Sequence, residues 1–347
     1  MIEKLAYLLG KPSVTGDLRS CKADFQVVEK LPFVPCGEGE HLFINVRKTG
    51  INTIQVARHF AQYFAVKDNE VTYAGLKDRF AVTEQWFSVH LPGKQVYLLN
   101  DFKHQGIEVL FSTRHNKKLR TGSLSANQFT ITLRNVSDLN ELSRRWYAVC
   151  SSGVPNYFGE QRFGIDGGNI ERANSLFKGG KVRDKKKRGL YLSAARSFLF
   201  NQQVHHRLLD NCFEQLMLGD VMMLAGTQSV FSLDLLDDDI NRRFTEKDID
   251  ITASMWGAGS LMTKDIPLIR ELQLTKDFPE FCHGLIRFGL KQERRRIRLT
   301  MADATIETDE SESRATLSFS LGAGCFATAI LRELINYQDL TERVTPT

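Results

Sequence analysis

The chain has 347 residues, 46 Lys+Arg against 41 Asp+Glu, and 42% hydrophobic residues with 23 Phe. That composition excludes a disordered tail or a fibre and supplies enough apolar surface for two cores. A net charge of +5 is small for this length, so a nucleic-acid partner can be argued only from where positive residues cluster.

The N-terminal stretch Met1 to Gly10 lacks a basic segment ahead of a full apolar core, and no run reaches the ~18 apolar residues of a membrane span, so a cytoplasmic protein with no membrane partner is expected. Five segments then read as strands from their β-branched and aromatic content and their alternation: Asp24 to Glu29, Leu42 to Val46, Trp86 to Leu91, Ile107 to Ser112 and Gln128 to Leu133. Between them Asn52 can cap a helix through Val56, Ala57, Phe60 and Phe64, and Asp138 or Asn140 another through Leu142, Trp146 and Val149. The first 150 residues thus read as an α+β sheet domain.

From about Gly153 the pattern changes to glycine-rich segments, a basic run at 181–188 and a helical pattern from Ser193 to about Leu218. Strand character returns at Ala315 to Leu321, followed by Gly322 to Gly324 and a short amphipathic helix holding Ala329, Leu331, Leu334 and Ile335. Such a final piece cannot bury a core alone, so it is expected to dock on the first sheet, which makes the middle region an insertion.

Three basic clusters stand out: Arg114 to Arg120, Lys181 to Arg188, and Lys291 to Arg298. Each can be a solvated face or a phosphate-binding surface. The six cysteines lie far apart without Cys-x-x-Cys, which predicts reduced thiols, mostly packed, and no zinc site; His205 and His206 are neighbours on a helix and cannot easily chelate one ion. Gly-x-Gly-x-x-Gly and the Walker loop are absent, so nucleotide-driven chemistry is not expected.

The segment Val71 to His90 sets Gly75, Lys77, Asp78 and Arg79 between two strand-like runs. A carboxylate flanked by two cations can serve as nucleophile or base, although Lys-Asp-Arg is also an ordinary exposed turn. Ala74, Gly75, Lys77, Asp78, Ala81, Thr83 and Gln85 match the pattern Ala-Gly-x-Lys-Asp-x-x-Ala-x-Thr-x-Gln. That pattern resembles the catalytic motif of the TruD family of tRNA pseudouridine synthases. Further blocks are similar in the same order: DFQVVE from Asp24, NQF from Asn127, VPNYFGEQRFG from Val154, LSAARSFLFN from Leu192 and GCFATAILRELIN from Gly324. Gly322 departs from the pattern, standing where the family commonly has Pro.

The resemblance implies a pseudouridine-synthase catalytic domain, 1–152 and 301–347, with a mixed, mostly antiparallel sheet, and an inserted α/β TRUD domain, 153–300. It implies that Asp78 is the catalytic carboxylate and that uridine at position 13, in the D arm of tRNA, becomes pseudouridine. Addition to C6, attack on C1′ and removal of the C2′ proton all remain open for Asp78, the third being the family's suggestion. A base inside a folded arm must be extruded to reach a buried Asp. By the same resemblance Phe25, Phe129 and Phe326 wall the pocket, Asn127 holds the uracil edge or nearby backbone, and Arg19 pairs with Asp78.

Lys77 and Arg79, next to Asp78 in an extended loop, are expected to turn away from it toward phosphate or solvent, and Lys185, Lys186 and Lys187 to contact the RNA backbone. No cofactor, no metal and no protein partner is implied, and the protein is expected to act as a monomer. The rival reading is a non-catalytic RNA-binding or chaperone protein that uses the same basic surface.

Overall fold

The structure is a computed structural model that describes residues 4–93, 97 and 99–341. Met1 to Glu3, which begin the N-terminal stretch read above, and residues 342–347 of the expected catalytic segment lie outside the described residues.

In chain order the elements begin with β1 (Thr15–Leu18), β2 (Phe25–Lys30), β3 (His41–Thr49), α1 (Thr53–Tyr63), β4 (Val71–Tyr73), β5 (Val82–His90), β6 (Ile107–His115), β7 (Ala126–Arg134) and α2 (Leu139–Ser152). Next come β8 (Val154–Pro155), α3 (Gly168–Phe177), α4 (Lys185–Leu209), β9 (Val221–Leu224), β10 (Val230–Ser232), α5 (Asp238–Thr245) and β11 (Ile249–Met255). The chain ends with α6 (Asp265–Asp277), α7 (Pro279–Arg287), β12 (Glu293–Arg296), β13 (Arg298–Leu299), β14 (Ala302–Asp309), β15 (Arg314–Gly322), α8 (Ala327–Leu334) and β16 (Asn336–Asp339).

Two compact units result: Pro12–Ser151 with Met301–Ala327 and Leu334–Thr347, and Met1–Lys11 with Ser152–Thr300 and Thr328–Glu333. The first is built on one mixed sheet in the order β14-β15-β7-β2-β5-β3-β6, with β4 added to β5 and β1 to β7 and β16. Among the described residues of this sheet only β2 with β5 and β1 with β16 run parallel; the other pairs are antiparallel, and the strands described do not close into a barrel.

Register and period-two alternation decide which side chains share a face. Val27 pairs with both Phe129 and Thr83, Phe129 with Phe319, and Thr83 with Lys48. One face of the sheet therefore carries Phe25, Val27 and Glu29 from β2, Asn127 and Phe129 from β7, Phe319 from β15, Thr83 and Gln85 from β5, and Lys48 from β3. Toward β3 and β5 this face is covered by α1, whose Val56, Ala57 and Phe60 pack with Ile44, Val46 and Phe87 into a core. Asn52 caps α1 as expected, accepting from Gln55 N at 2.9 Å, and Asp138 is the residue that caps α2, accepting from Glu141 N at 2.9 Å.

The second unit has a four-stranded antiparallel sheet, β10-β9-β11-β12, with α3, α4, α6 and α7. Tyr191, Ala195 and Leu199 of α4 pack with Phe177, Trp256, Leu274 and Leu285. The predicted helix from Ser193 to Leu218 is shifted here. It starts at Lys185 because Asp184 caps it, accepting from Lys186 N at 2.8 Å and Lys187 N at 3.2 Å. It stops at Leu209 because Asn211 takes a left-handed φ of 54°, which ends helices.

The C-terminal strand β15 joins the first sheet beside β7, as its pattern predicts, whereas Thr328–Glu333 of α8 belong to the second unit, where Glu333 accepts from Leu8 N and Leu9 N at 3.1 Å. All six cysteines are free, but only Cys212 and Cys282 are buried. No described helix is long and apolar enough to cross a membrane.

Candidate active site

Residues 74–81 form a loop between β4 and β5, tied down by hidden polar groups. Gln85 donates to Gly75 O and accepts from Thr53 Oγ1 at 3.0 Å, and Thr53 Oγ1 in turn accepts from Lys77 N at 2.9 Å. Thr53 is the first residue of α1, so the capped helix end and β5 together fix the loop. The motif residue Gln85 is wholly buried and acts as a brace for the loop.

Asp78 sits on this loop with its side chain 23% exposed, open enough for a substrate atom to reach it. Its Oδ1 accepts from Phe80 N at 3.0 Å, and its Oδ2 pairs with Arg19 Nη2 at 3.1 Å. Arg19 is buried, its guanidinium lies over the Phe25 ring at 4.4 Å, and its second arm reaches Asp339 at 3.2 Å. A non-glycine φ of +60° at Arg19 costs about 1–2 kcal/mol, a strain that the two carboxylates and the ring offset.

Phe25 meets Phe129 edge-on at 6.2 Å, and Phe129 stacks on Phe319 at 5.4 Å. The expected Arg19–Asp78 pair is thus present, and Phe25 and Phe129 lie beside it, both under a tenth exposed. One face of Phe25 is already occupied by Arg19. Phe326, half-buried, follows the turn closed by Cys325 N to Gly322 O at 3.3 Å. Asn127 shares the face of Phe129, and among the described residues its buried Oδ1 has no hydrogen-bond partner; neither has Arg19 Nε nor Thr83 Oγ1. Buried polar atoms without partners are uncommon and mark places where a ligand group can bind.

Lys77 requires a correction. Its ammonium turns inward, 2.8 Å from Glu29 Oε1, with side chains 8% and 0% exposed. Glu29 Oε2 also accepts from Trp86 N at 3.0 Å. The alternation used to turn Lys77 outward holds for extended strands, and this loop is not one, so Lys77 is engaged inside the protein. Arg79 is exposed and donates to Gly50 O at 3.1 Å.

Two buried charged groups beside the motif were missed: Glu29, and Lys48, whose Nζ is 2.7 Å from Asp78 O. The signal was available, since each occupies a position where strand alternation calls for an apolar residue, after Phe25 and Val27 in one case and after Leu42, Ile44 and Val46 in the other.

In the second unit Lys185, Lys186 and Lys187 are exposed on the first turn of α4. The third basic cluster is largely internal: Arg294 pairs with buried Glu271 at 2.7 Å, Arg295 donates to Asn156 Oδ1 at 2.6 Å, and Arg298 donates to Ser152 O and Glu214. These arginines bind their own chain. His205 accepts from Ala6 N at 2.9 Å, a packing role. Among the described residues no group of three or more His, Cys, Asp or Glu is placed to hold a metal ion.

The family model for tRNA pseudouridine synthase D (TruD) matches residues 1–174 and 170–334. The chain is 59% identical to the tRNA pseudouridine synthase D of Colwellia psychrerythraea over 99% of its own length and 96% of that protein, and 45% identical to that of Shewanella oneidensis over 98% and 91%. The chain belongs to the TruD family of tRNA pseudouridine synthases. Membership makes it an enzyme, an isomerase, and sets aside the non-catalytic reading. The fold agrees with a Methanosarcina mazei crystal structure described as a TruD, with a TM-score of 0.69 at 20% identity and 95% of each chain covered.

Proposed function

We propose that this enzyme converts uridine 13, in the D arm of tRNA, to pseudouridine, with Asp78 as the catalytic carboxylate acting on an extruded base. The observation that carries this reading is the half-open carboxylate of Asp78, paired at 3.1 Å with a buried Arg19 and set beside Phe25 and Phe129. The unit containing Asp78 is the catalytic domain, and the segment inserted between α2 and β14 is the TRUD domain. Acting on tRNA, the protein works in the cytoplasm.

We adopt the route in which Asp78 removes the C2′ proton. The C2′–H electron pair forms a C1′–C2′ double bond, and uracil leaves through N1 with the glycosidic pair. The freed ring turns while held, C5 attacks C1′ and the carboxyl returns its proton to C2′. Loss of the C5 proton and gain of one at N1 complete the isomerisation. No electron or atom is left over, so the reaction needs no redox partner.

Holding the free base is the task of the partnerless groups. Asn127 Oδ1 suits the N3–H of uracil, an acceptor for a donor. Phe326 supplies an apolar wall, while Phe129 supports the floor through Phe25 and Phe319. Lys185, Lys186 and Lys187 hold RNA phosphates, so recognition depends mainly on RNA shape and backbone.

The decisive experiment compares the wild type with Asp78→Asn on transcribed tRNA, mapping pseudouridine with carbodiimide. Loss of product with retained RNA binding is the expected result. Full conversion by D78N would overturn the assignment.

A further inference from the structure

Lys48 is wholly buried, yet among the described residues no carboxylate oxygen lies within 4.0 Å of its ammonium. Nζ instead donates to Ile51 O at 2.9 Å and Asp78 O at 2.7 Å, with Lys77 O at 3.5 Å. Carbonyl dipoles alone solvate this charge, an expensive arrangement that methionine could avoid at almost the same volume.

The carbonyls involved explain the arrangement. Lys77 O and Asp78 O belong to the two peptide groups that flank the Asp78 Cα. One ammonium bound to both sets the backbone angles of that residue and hence the direction of its carboxylate. Lys77 N is held by Thr53 and Gly75 O by Gln85, so the loop is clamped from α1, β3 and β5 together.

We infer that Lys48 is a positioning residue of the reaction: by binding the carbonyls on both sides of Asp78 it holds the catalytic carboxylate against Arg19 and at the substrate. This inference rests on the reading of Asp78 as the catalytic carboxylate. The ammonium has to be charged to bind both carbonyls firmly, and burial pulls its pKa down to about 8, with Asp78 raising it and Lys77 lowering it. From the loop, Asp78 and Lys77 face Lys48. Thr83 of β5 and Ile107 of β6, its partners across the sheet, carry no titratable group, and Asp78 and Lys77 are the charged groups that act on it.

The test compares wild type, K48M and D78N on a tRNA transcript, measuring single-turnover rate, tRNA affinity and thermal denaturation. A shift of ~1 Å at a reacting group can cost about 10²-fold in rate, so K48M should lose about 10²-fold in rate with affinity within about threefold of wild type. A role in stability alone predicts the reverse, a lower melting temperature with the rate retained.

If K48M does not fold, the wild-type protein decides. Its single-turnover rate should fall between about pH 7 and about pH 9, with a midpoint near 8, while its tRNA affinity stays level. A folded K48M within threefold of the wild-type rate, or a wild-type rate flat over that range, overturns the role of Lys48 alone. Full activity in D78N removes the reading of Asp78 and this inference with it.

Discussion

Arg19 is shared between Asp78 and Asp339: one guanidinium arm lies 3.1 Å from the first carboxylate and the other 3.2 Å from the second. Asp339 comes from β16, which lies parallel to β1 next to Arg19, so the end of the chain helps to aim a group near its beginning. The two contacts are unequal in burial. Asp339 is 36% exposed, where an ion pair contributes about 0–1 kcal/mol, so Asp339→Asn should lower the rate by less than about fivefold. Removing a preorganised charged donor at a reacting centre costs about 10²–10³-fold, so Arg19→Met should fall in that range. Rates on a tRNA transcript check the order, and a D339N defect as large as that of R19M would mean that Asp339 touches the substrate.

Lys48 also contributes to the pH dependence of stability. Its folded pKa, about 8, lies below the ordinary lysine value of 10.5, so between those pH values the unfolded chain binds more protons than the folded one. Stability contributed by this group therefore rises with pH through that window. Denaturation of wild type and K48M should accordingly converge or cross as pH increases: the buried charge penalises the wild type at pH 7 and less so near pH 10. Parallel curves would show that Lys48 does not titrate there.

At Asp24 the folded state favours the charged form instead, and stability again rises with pH. Burial alone would raise its pKa, but hydrogen bonds from Arg134 and from the Cys21 amide outweigh burial and lower it from the ordinary 3.8. A carboxylate with a depressed folded pKa contributes stability above its unfolded value and loses it as pH falls through the folded one. Asp24 precedes Phe25 at the start of β2 and accepts from Arg134 Nη2 at 2.8 Å. Asp24→Asn should cost about 1–3 kcal/mol at pH 7, and the difference from wild type should vanish as pH drops well below 3.8. Urea melts at several pH values measure it, and a constant difference would rule out Asp24 as the titrating group.

The two rings of the expected pocket should separate in experiment. Phe129 is 7% exposed, edge-on to Phe25 and stacked on Phe319, so Phe129→Ala opens a cavity and should cost about 3–5 kcal/mol of stability. Phe326 is half-buried, so Phe326→Ala should leave the melting temperature nearly intact and reduce the rate. Equal destabilisation by both would place Phe326 in the core and remove it from the wall of the base pocket.

What could be read from the sequence follows from how local each signal is. Alternation in QVVE and FTITL put the right residues on one face, and Asn52 and Asp138 capped helices, because these depend on near neighbours. The start of α4 was missed because a run of lysines looks unfavourable for a helix until Asp184 is seen to cap it. The direction of Lys77 depends on Glu29, 48 residues away, and the third basic cluster was absorbed by Glu271, Glu214 and Asn156, which lie 23, 84 and 139 residues from their arginines. Long-range ion pairs leave no local periodicity, so an arginine cluster on paper became internal packing in the fold.

That outcome singles out the basic run on α4. Lys185, Lys186 and Lys187 are exposed, and Asp184 takes up only the backbone N–H groups of the last two. Their side chains can release counterions when they meet phosphates, and each such contact steepens the salt dependence of binding by about 0.7–0.9 in log–log slope. Replacing all three by Ala should weaken tRNA binding and flatten that slope by about 2–3 if all three contact phosphates. By contrast, Arg294→Met should destabilise the fold without changing the slope, because its guanidinium is committed to Glu271 and Thr252. Binding titrations at several salt concentrations distinguish the two, and an unaltered slope in the triple variant would remove this helix end from the RNA interface.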